Sequence, residues 1–370
     1  MKRTSIGYVF LAVTAAALSW TVVGSESSRA QTSPRPVGTP IQIKAPLGLP
    51  PVPIPADNPP TKETIALGRR LYYDPVLSVD RSVSCATCHG PAGGFTDNKS
   101  VSTGVHGKTG SRSAPTVINS AYSTLQFWDG RAATLEAQAA GPMANPVEMA
   151  HTLEGEVKAL QADPVYREEF KKAWGSDEIT IDMVTKSIAS FERTVLSGDS
   201  AFDRYYYGGD KKAMSASAIR GLKVFTDAKK GNCAACHTIE KHYALFTDNK
   251  FHNIGVGVQP SGNFDDLGRV AISKNTAETG AFKTPTLRNI QQTAPYMHDG
   301  SLKTLKDVVD HYIGGGNSNP YLDKQIHVLD FLSGQERQDL ENFLKALTGP
   351  MPADVGPPAG LSGTSVAKSK

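Results

Sequence analysis

Cys85, Cys88 and His89 form one Cys-x-x-Cys-His motif, and Cys233, Cys236 and His237 form a second. Together they use all 4 cysteines of the chain, so none is left for a disulfide. A cysteine pair followed at once by histidine is the attachment signature of a c-type haem. The thiols add to the porphyrin vinyl groups, and the histidine comes to lie under the iron as its proximal ligand. Two other chemistries use such pairs. A four-cysteine zinc site has no need of a histidine after each pair, and a redox dithiol needs one pair only. The duplicated motif therefore reads as two covalently bound c-type haems.

A haem iron takes a second axial ligand or leaves that face open, and this choice separates electron transfer from chemistry. An internal repeat lets the two faces be compared. Pro115, Thr116, Asn119, Asp129, Gly130, Thr134 and Leu135 recur as Pro285, Thr286, Asn289, Asp299, Gly300, Thr304 and Leu305, each pair offset by 170 residues. Phe95-Thr96-Asp97-Asn98 recurs as Phe246-Thr247-Asp248-Asn249. A tandem duplication of a haem module follows. In this register Tyr312 stands opposite Pro142. Tyrosine can ligate iron as a phenolate, whereas proline cannot ligate at all. The expectation is a second haem closed by His237 and Tyr312, and a first haem with His89 below and an open face near Pro142. His311 and Met297 are the rival ligands for the second iron, and a buried core tyrosine is the alternative for Tyr312.

Gln138 and Glu148 flank Pro142 across an expected Gly-Pro turn. Peroxide cleavage needs a group that takes a proton from the bound oxygen and returns it to the leaving one. Glu148 is the candidate, with Gln138 orienting peroxide or water. Trp128 is either core packing or an electron relay between the haems. Arg131 suits a haem propionate, as guanidinium suits carboxylates. His106 is either a switchable sixth ligand of the first iron or an exposed loop histidine. His298 and His252 are open candidates for propionate or supporting partners.

The elements that must position these groups are helical. Apolar residues recur at helical spacing over Thr64 to Tyr73, Leu153 to Phe170, Ile179 to Leu196, Ser217 to Phe225, Leu302 to Tyr312 and Gln335 to Leu347. Gly90 to Gly110 reads as a mobile loop. The fold class is mainly α, with two tandem cytochrome c-like haem domains and long loops. The domains are placed at 61–200 and 201–350. Residues 31–60 read as a proline-rich extended linker, and 351–370 as a disordered tail.

Residues 1–30 read as a secretory signal peptide. Lys2 and Arg3 precede an apolar run from Tyr8 to about Gly24, with Ser28 and Ala30 at a plausible cleavage site. Retention of this segment as an anchor is the alternative. Export to the periplasm fits the cysteines, because c-type haem is attached outside the bacterial cytoplasm, and it leaves no membrane span after processing. The formal net charge of +3, without a long basic run, gives no support to nucleic-acid binding.

These residues resemble the bacterial di-haem cytochrome c peroxidase family, including its MauG branch. The resemblance runs from about Thr64 to Leu347. It is carried by both haem motifs, by Gln126-Phe127-Trp128-Asp129-Gly130-Arg131-Ala132, by Gln138, Pro142 and Asn145-Pro146-Val147-Glu148-Met149, and by Ala294-Pro295-Tyr296-Met297-His298-Asp299-Gly300. It implies a peroxidatic haem in the first domain and an electron-transfer haem in the second. It also implies an interdomain calcium ion held partly by backbone carbonyls of Thr293 and Pro295; Ser113 replaces the family's asparagine ligand. The peroxidases of the family usually have methionine where Tyr312 stands, and the MauG branch has tyrosine. His106 resembles the gating histidine of the peroxidases, while Lys229, Lys230 and Gly231 stand where MauG has a second tryptophan. Three functions are therefore expected to compete. One is a periplasmic peroxidase that reduces hydrogen peroxide with electrons from a small cytochrome c or cupredoxin. The second is MauG-like oxidation of a partner protein through a high-valent di-haem state. The third is a non-enzymatic electron carrier. The resemblance also allows a homodimer.

Overall fold

The computed structural model describes residues 34–361 together with Met1. The expected signal peptide, apart from Met1, and residues 362–370 of the tail lie outside the described residues. The first half builds α1 (Lys62–Tyr73), α2 (Cys85–Cys88), α3 (Leu135–Ala144), α4 (Leu153–Ala162), α5 (Pro164–Trp174) and α6 (Ile181–Glu192). The second builds α7 (Ala201–Tyr206), α8 (Ala216–Thr226), α9 (Val270–Ser273), α10 (Leu305–Ile313) and α11 (Gly334–Lys345). Two short strands, β1 (Phe251–His252) and β2 (Phe282–Lys283), pair antiparallel. The architecture is mainly helical, as the sequence pattern requires.

Side chains fix where the helices begin. Thr61 and Thr64 close a reciprocal capping box on α1, and Ser333 and Glu336 close one on α11. Thr134 and Thr304 cap α3 and α10 at matching places in the two halves. Each cap satisfies N–H groups that a helix start leaves without partners.

Two helix crossings organise the core: α1 lies against α6, and α8 against α11. Each crossing depends on one glycine. A Cβ on Gly68 would stand 1.8 Å from the Ser187 carbonyl oxygen, and one on Gly221 would stand 1.9 Å from that of Asp339. Backbone meets backbone here, so any larger residue would push the helices apart. Around the first crossing pack Leu67, Leu71, Tyr72, Phe170 and Phe191. Around the second pack Phe202, Phe225, Phe246, Leu340 and Phe343. The aromatic pairs make tilted contacts, with ring centroids 5.1 Å apart for Tyr72 and Phe191 and 4.9 Å for Phe225 and Phe343. Such pairs add to the stabilisation from burial.

The structure departs from the sequence reading in five places. The helix expected over Leu153 to Phe170 is two helices, because Asp163 caps α5 and Pro164 cannot donate into α4. Gly141 and Pro142 form no turn; they lie inside α3. The stretch 34–60 is not a loose linker. Asn58 is buried and bonds the Lys186 carbonyl at 3.0 Å, and the Gly48 carbonyl accepts from Arg288 at 2.7 Å. Nor is the whole tail free: Val355 is buried in the first cluster, and its carbonyl accepts from the Tyr73 hydroxyl at 2.6 Å. The loop Gly90 to Gly110 is tied by bridges between Gly90 and Thr96 and between Thr103 and Thr109, with Val105 fully buried. At the linker, the tail and the loop, proline or glycine content was the signal, and hydrogen bonds and burial against neighbouring elements outweighed it.

Candidate haem sites

The four thiols are unpaired. Burial, the largest cause, pushes the Cys85 thiol far up, that of Cys88 to about 11 and that of Cys233 to about 12. A redox dithiol or a zinc thiolate site has the opposite character, with thiolates favoured by nearby positive charge. Burial also lowers the pKa of His89 and His237. A neutral imidazole is the form that ligates iron. His237 Nδ1 lies 2.8 Å from the Phe246 carbonyl, which orients Nε2 for a metal, as second partners of ligating histidines do. His89 Nδ1 is buried with no such bond. The donor set fits covalent haem at both motifs.

The second motif opens into an internal cavity of about 280 Å³. Cys233, Cys236 and His237 line it, and Tyr312, Met297 and Leu305 from the facing elements line it too. Tyr312 sits near the end of α10, and the neighbouring Cys233 and Cys236 add to burial in raising its phenol pKa. A bound ferric ion would reverse that preference by pairing with the phenolate. His311, the first rival ligand, is spent elsewhere: its Nε2 lies 2.9 Å from the Ile254 carbonyl. Met297 remains in the cavity wall. His252 also reaches this cavity, with Nδ1 2.6 Å from Asp323 and Nε2 3.0 Å from Asp248. Cys236, Asp248 and His252 converge closely enough to hold a metal ion, but attachment of haem occupies the Cys236 sulfur.

At the first motif α3 supplies the facing surface. Gln138, Pro142 and Asn145 fall on one face by the helical period. The chain then folds back, with the Glu148 N–H donating to the Asn145 carbonyl at 3.0 Å. Asn145 Nδ2 donates to Glu148 Oε1 at 2.5 Å. Burial raises the Glu148 pKa, while Asn145 and Arg131 pull it down more weakly. Glu148 lies close enough to Cys88 to raise the thiol's pKa in turn. The structure thus brings Glu148 to the first motif. Gln138 is half-buried on the same helix. Arg131 bonds Asp129 at 3.0 Å and lies 3.5 Å from the Phe127 ring centroid. His106 adopts a left-handed conformation, φ 56°. Its side chain is 56% exposed, and Nδ1 stands 3.4 Å from Asp80.

Trp128 comes from the first half of the chain and reaches the second site. Its indole N–H donates to the Ser113 carbonyl at 2.9 Å, and its ring lines the second cavity. His298 is buried against the same region, stacked on Phe282 with centroids 3.6 Å apart. Nearby, Asn98 Nδ2 donates to the carbonyls of Gln292, 2.9 Å, and Ala294, 2.8 Å. The alternate carbonyls, of Thr293 and Pro295, are the two expected to face calcium.

Sequence reasoning passed over Asn145, Arg112 and Lys283. Asn145 could have been found at three residues from Glu148. Arg112 bridges Asp129 at 2.6 Å and Asp266 at 2.6 Å, a link between distant segments with no local signal. Lys283 faces Ser113 in the register of the repeat.

Paired attachment motifs on two matching helix crossings define a di-haem c-type cytochrome. The model of the family described as di-haem cytochrome c peroxidase matches residues 62–212. Methylamine utilization protein MauG of Methylorubrum extorquens is 43% identical over 297 residues, covering 80% of this chain and 81% of that protein. Cytochrome c551 peroxidase of Nitrosomonas europaea is 39% identical over 300 residues, covering 81% and 84%. A solved MauG-like protein associated with microbial copper homeostasis aligns with a TM-score of 0.75 at 33% identity, covering 83% of this chain and 95% of that one. The chain belongs to the di-haem cytochrome c peroxidase family, and is an oxidoreductase of the two-haem c type that the family implies. Among the described residues no helix is long and apolar enough to cross a membrane.

Proposed function

We propose that the chain is an exported peroxidase that reduces hydrogen peroxide to water at a haem carried by Cys85, Cys88 and His89. Electrons enter through a second haem carried by Cys233, Cys236 and His237, from a small cytochrome c or cupredoxin. The two haem domains are assigned to 61–200 and 201–350. The observation that carries this reading is the asymmetry of the two facing helices. Tyr312 lines the second cavity, where its phenol would hold a haem iron, while Pro142 stands at the equivalent place in the first half without a donor, near Glu148.

Bound haem supplies an iron that binds peroxide and, with its partner haem, the two electrons that break the O–O bond. The protein handles the protons. Glu148, ionised and held by Asn145, takes the proton from the oxygen nearer the iron and returns it to the departing one. Its raised pKa makes that return favourable. Gln138 orients peroxide on the same face, and Pro142 blocks protein ligation without offering a donor. Two electrons and two protons from solution balance one peroxide against two waters. Trp128, between the sites, relays electrons to the first haem. Arg131 neutralises a propionate, and His106, held beside Asp80, leaves the first iron open at rest. The carbonyls of Thr293 and Pro295, which Asn98 leaves free of its own bonds, would hold a calcium ion.

Steady-state turnover with reduced cytochrome c tests the reading: brisk, peroxide-dependent oxidation of the donor is expected. A second reading is favoured by Tyr312 and by the similarity to MauG, namely peroxide-driven oxidation of a partner protein. Negligible donor turnover together with peroxide-dependent modification of a co-purifying protein would replace the first reading with the second.

A further inference from the structure

Lys283 is a lysine at the wall of the second cavity with no anion of its own. Its backbone N–H donates to the Trp128 carbonyl at 2.8 Å, which fixes β2 beside the inter-site tryptophan. Its ammonium reaches the Ser123 hydroxyl at 3.3 Å. Among the described residues no carboxylate stands within ion-pairing distance of it. Burial alone brings its pKa down to about 8. Lys186 shows what this protein does elsewhere with a buried lysine: Asp57 and Asp182 both lie 3.0 Å from its ammonium. A buried ammonium satisfied by one hydroxyl is costly unless an anion arrives. The repeat sharpens the point. Lys283-Thr284-Pro285-Thr286 stands in register with Ser113-Ala114-Pro115-Thr116, so the cation belongs to one half only.

The missing anion has a chemical source. The cavity extends from the Cys233 and Cys236 thiols to Lys283 and Trp128. A haem joined to those thiols by its vinyl edge presents two propionates on its opposite edge. We infer that Lys283 is the counter-charge of a propionate on the second haem and thereby a positioning residue that sets that haem's reduction potential. The inference rests on a haem at Cys233 and Cys236, and is independent of Tyr312 as the sixth ligand. A cation beside the ring favours the ferrous state, which carries one positive charge fewer than the ferric. Removing it favours ferric iron and leaves a propionate free to take up a proton near neutral pH.

The test is a spectroelectrochemical titration of the holoenzyme and its Lys283→Met and Lys283→Arg variants across neutral pH. Lys283→Met is expected to shift the second haem's equilibrium about tenfold toward ferric, 59 mV for a one-electron couple. It should also make that potential newly pH-dependent, while Lys283→Arg stays close to wild type. Superimposable potentials and pH profiles for wild type and Lys283→Met would overturn the inference. If Lys283→Met does not load haem, the propionate bending bands in resonance Raman spectra of Lys283→Arg decide. Shifted bands support the pair, and unchanged bands overturn it. The low-spin EPR signal of the same samples reports axial ligation separately, so a failure of Tyr312 ligation is distinguishable.

Discussion

Asn119 and Asn289 hold the same left-handed conformation, φ 61° and 58°, and each ties down a distant backbone segment. Asn119 Nδ2 donates to the Ser197 carbonyl at 2.9 Å, and Asn289 Nδ2 donates to that of Gly349 at 3.1 Å. Phe95 and Phe246 match in the same way, φ 60° and 53°, as do Phe127 and Met297, φ 67° and 73°. Non-glycine residues seldom adopt this conformation, so its recurrence at equivalent places marks one backbone frame used twice. The bridges Gln126–Ala132 and Tyr296–Leu302 repeat it. Against that shared frame, the inward side chains differ. Pro142 stands at the position of Tyr312, and Ser113 at that of Lys283. Duplication supplied the scaffold, and the proposed division of labour between the halves rests on a handful of side chains.

The strongest way to break the comparison is at the first half's acid. Glu148→Gln should lower peroxide turnover by about 10²–10⁴-fold, with haem content and the second haem's spectrum unchanged. In the wild-type enzyme the base must be ionised. Because burial raises the Glu148 pKa, turnover should rise with pH through a value above the ordinary carboxylate range, and the variant should lose that limb. Tyr312→Met exchanges a phenolate for a thioether. It should raise the second haem's potential by at least about 60 mV, a tenfold change in its equilibrium, measured by redox titration. The first haem should be unaffected.

Two smaller effects test the scaffold rather than the chemistry. Gly68→Ala and Gly221→Ala each force Cβ into a facing carbonyl, so each should cost about 3 kcal/mol. Thermal unfolding with haem-specific absorbance should show the loss falling first on the half that carries the change. Glu156, in the first half alone, has both carboxyl oxygens buried without partners, and burial raises its pKa to about 8. The folded state therefore keeps a proton that the unfolded chain releases above about pH 4.3. Its contribution to stability is intact below that pH and falls until about pH 8. Glu156→Gln should remove this dependence, gaining up to about 5 kcal/mol at pH 8 and nothing near pH 4. Unfolding followed at both pH values checks it.

Much of this was legible in the chain. The haem motifs, the helical class and the 170-residue register were readable because covalent attachment and periodic packing leave their marks locally. The opposition of Tyr312 to Pro142 followed from that register alone. What was not legible depends on contacts between distant segments. The burial of Asn58 and Val355 is decided by surfaces that proline and glycine content does not describe. The seat of Pro142 inside α3 was missed because Gly-Pro usually breaks a helix, whereas α3 runs through it to Ala144. Lys283 was visible only as a residue type; its want of an anion appears once the cavity is seen.

The central claim is that the second iron is closed by Tyr312 while the first is open. EPR of the purified ferric protein and of Tyr312→Phe tests it most directly. The account predicts one high-spin and one low-spin ferric signal, with the substitution abolishing the low-spin one and leaving the other in place. Two low-spin signals in the wild type, or a low-spin signal that survives Tyr312→Phe unchanged, would contradict it.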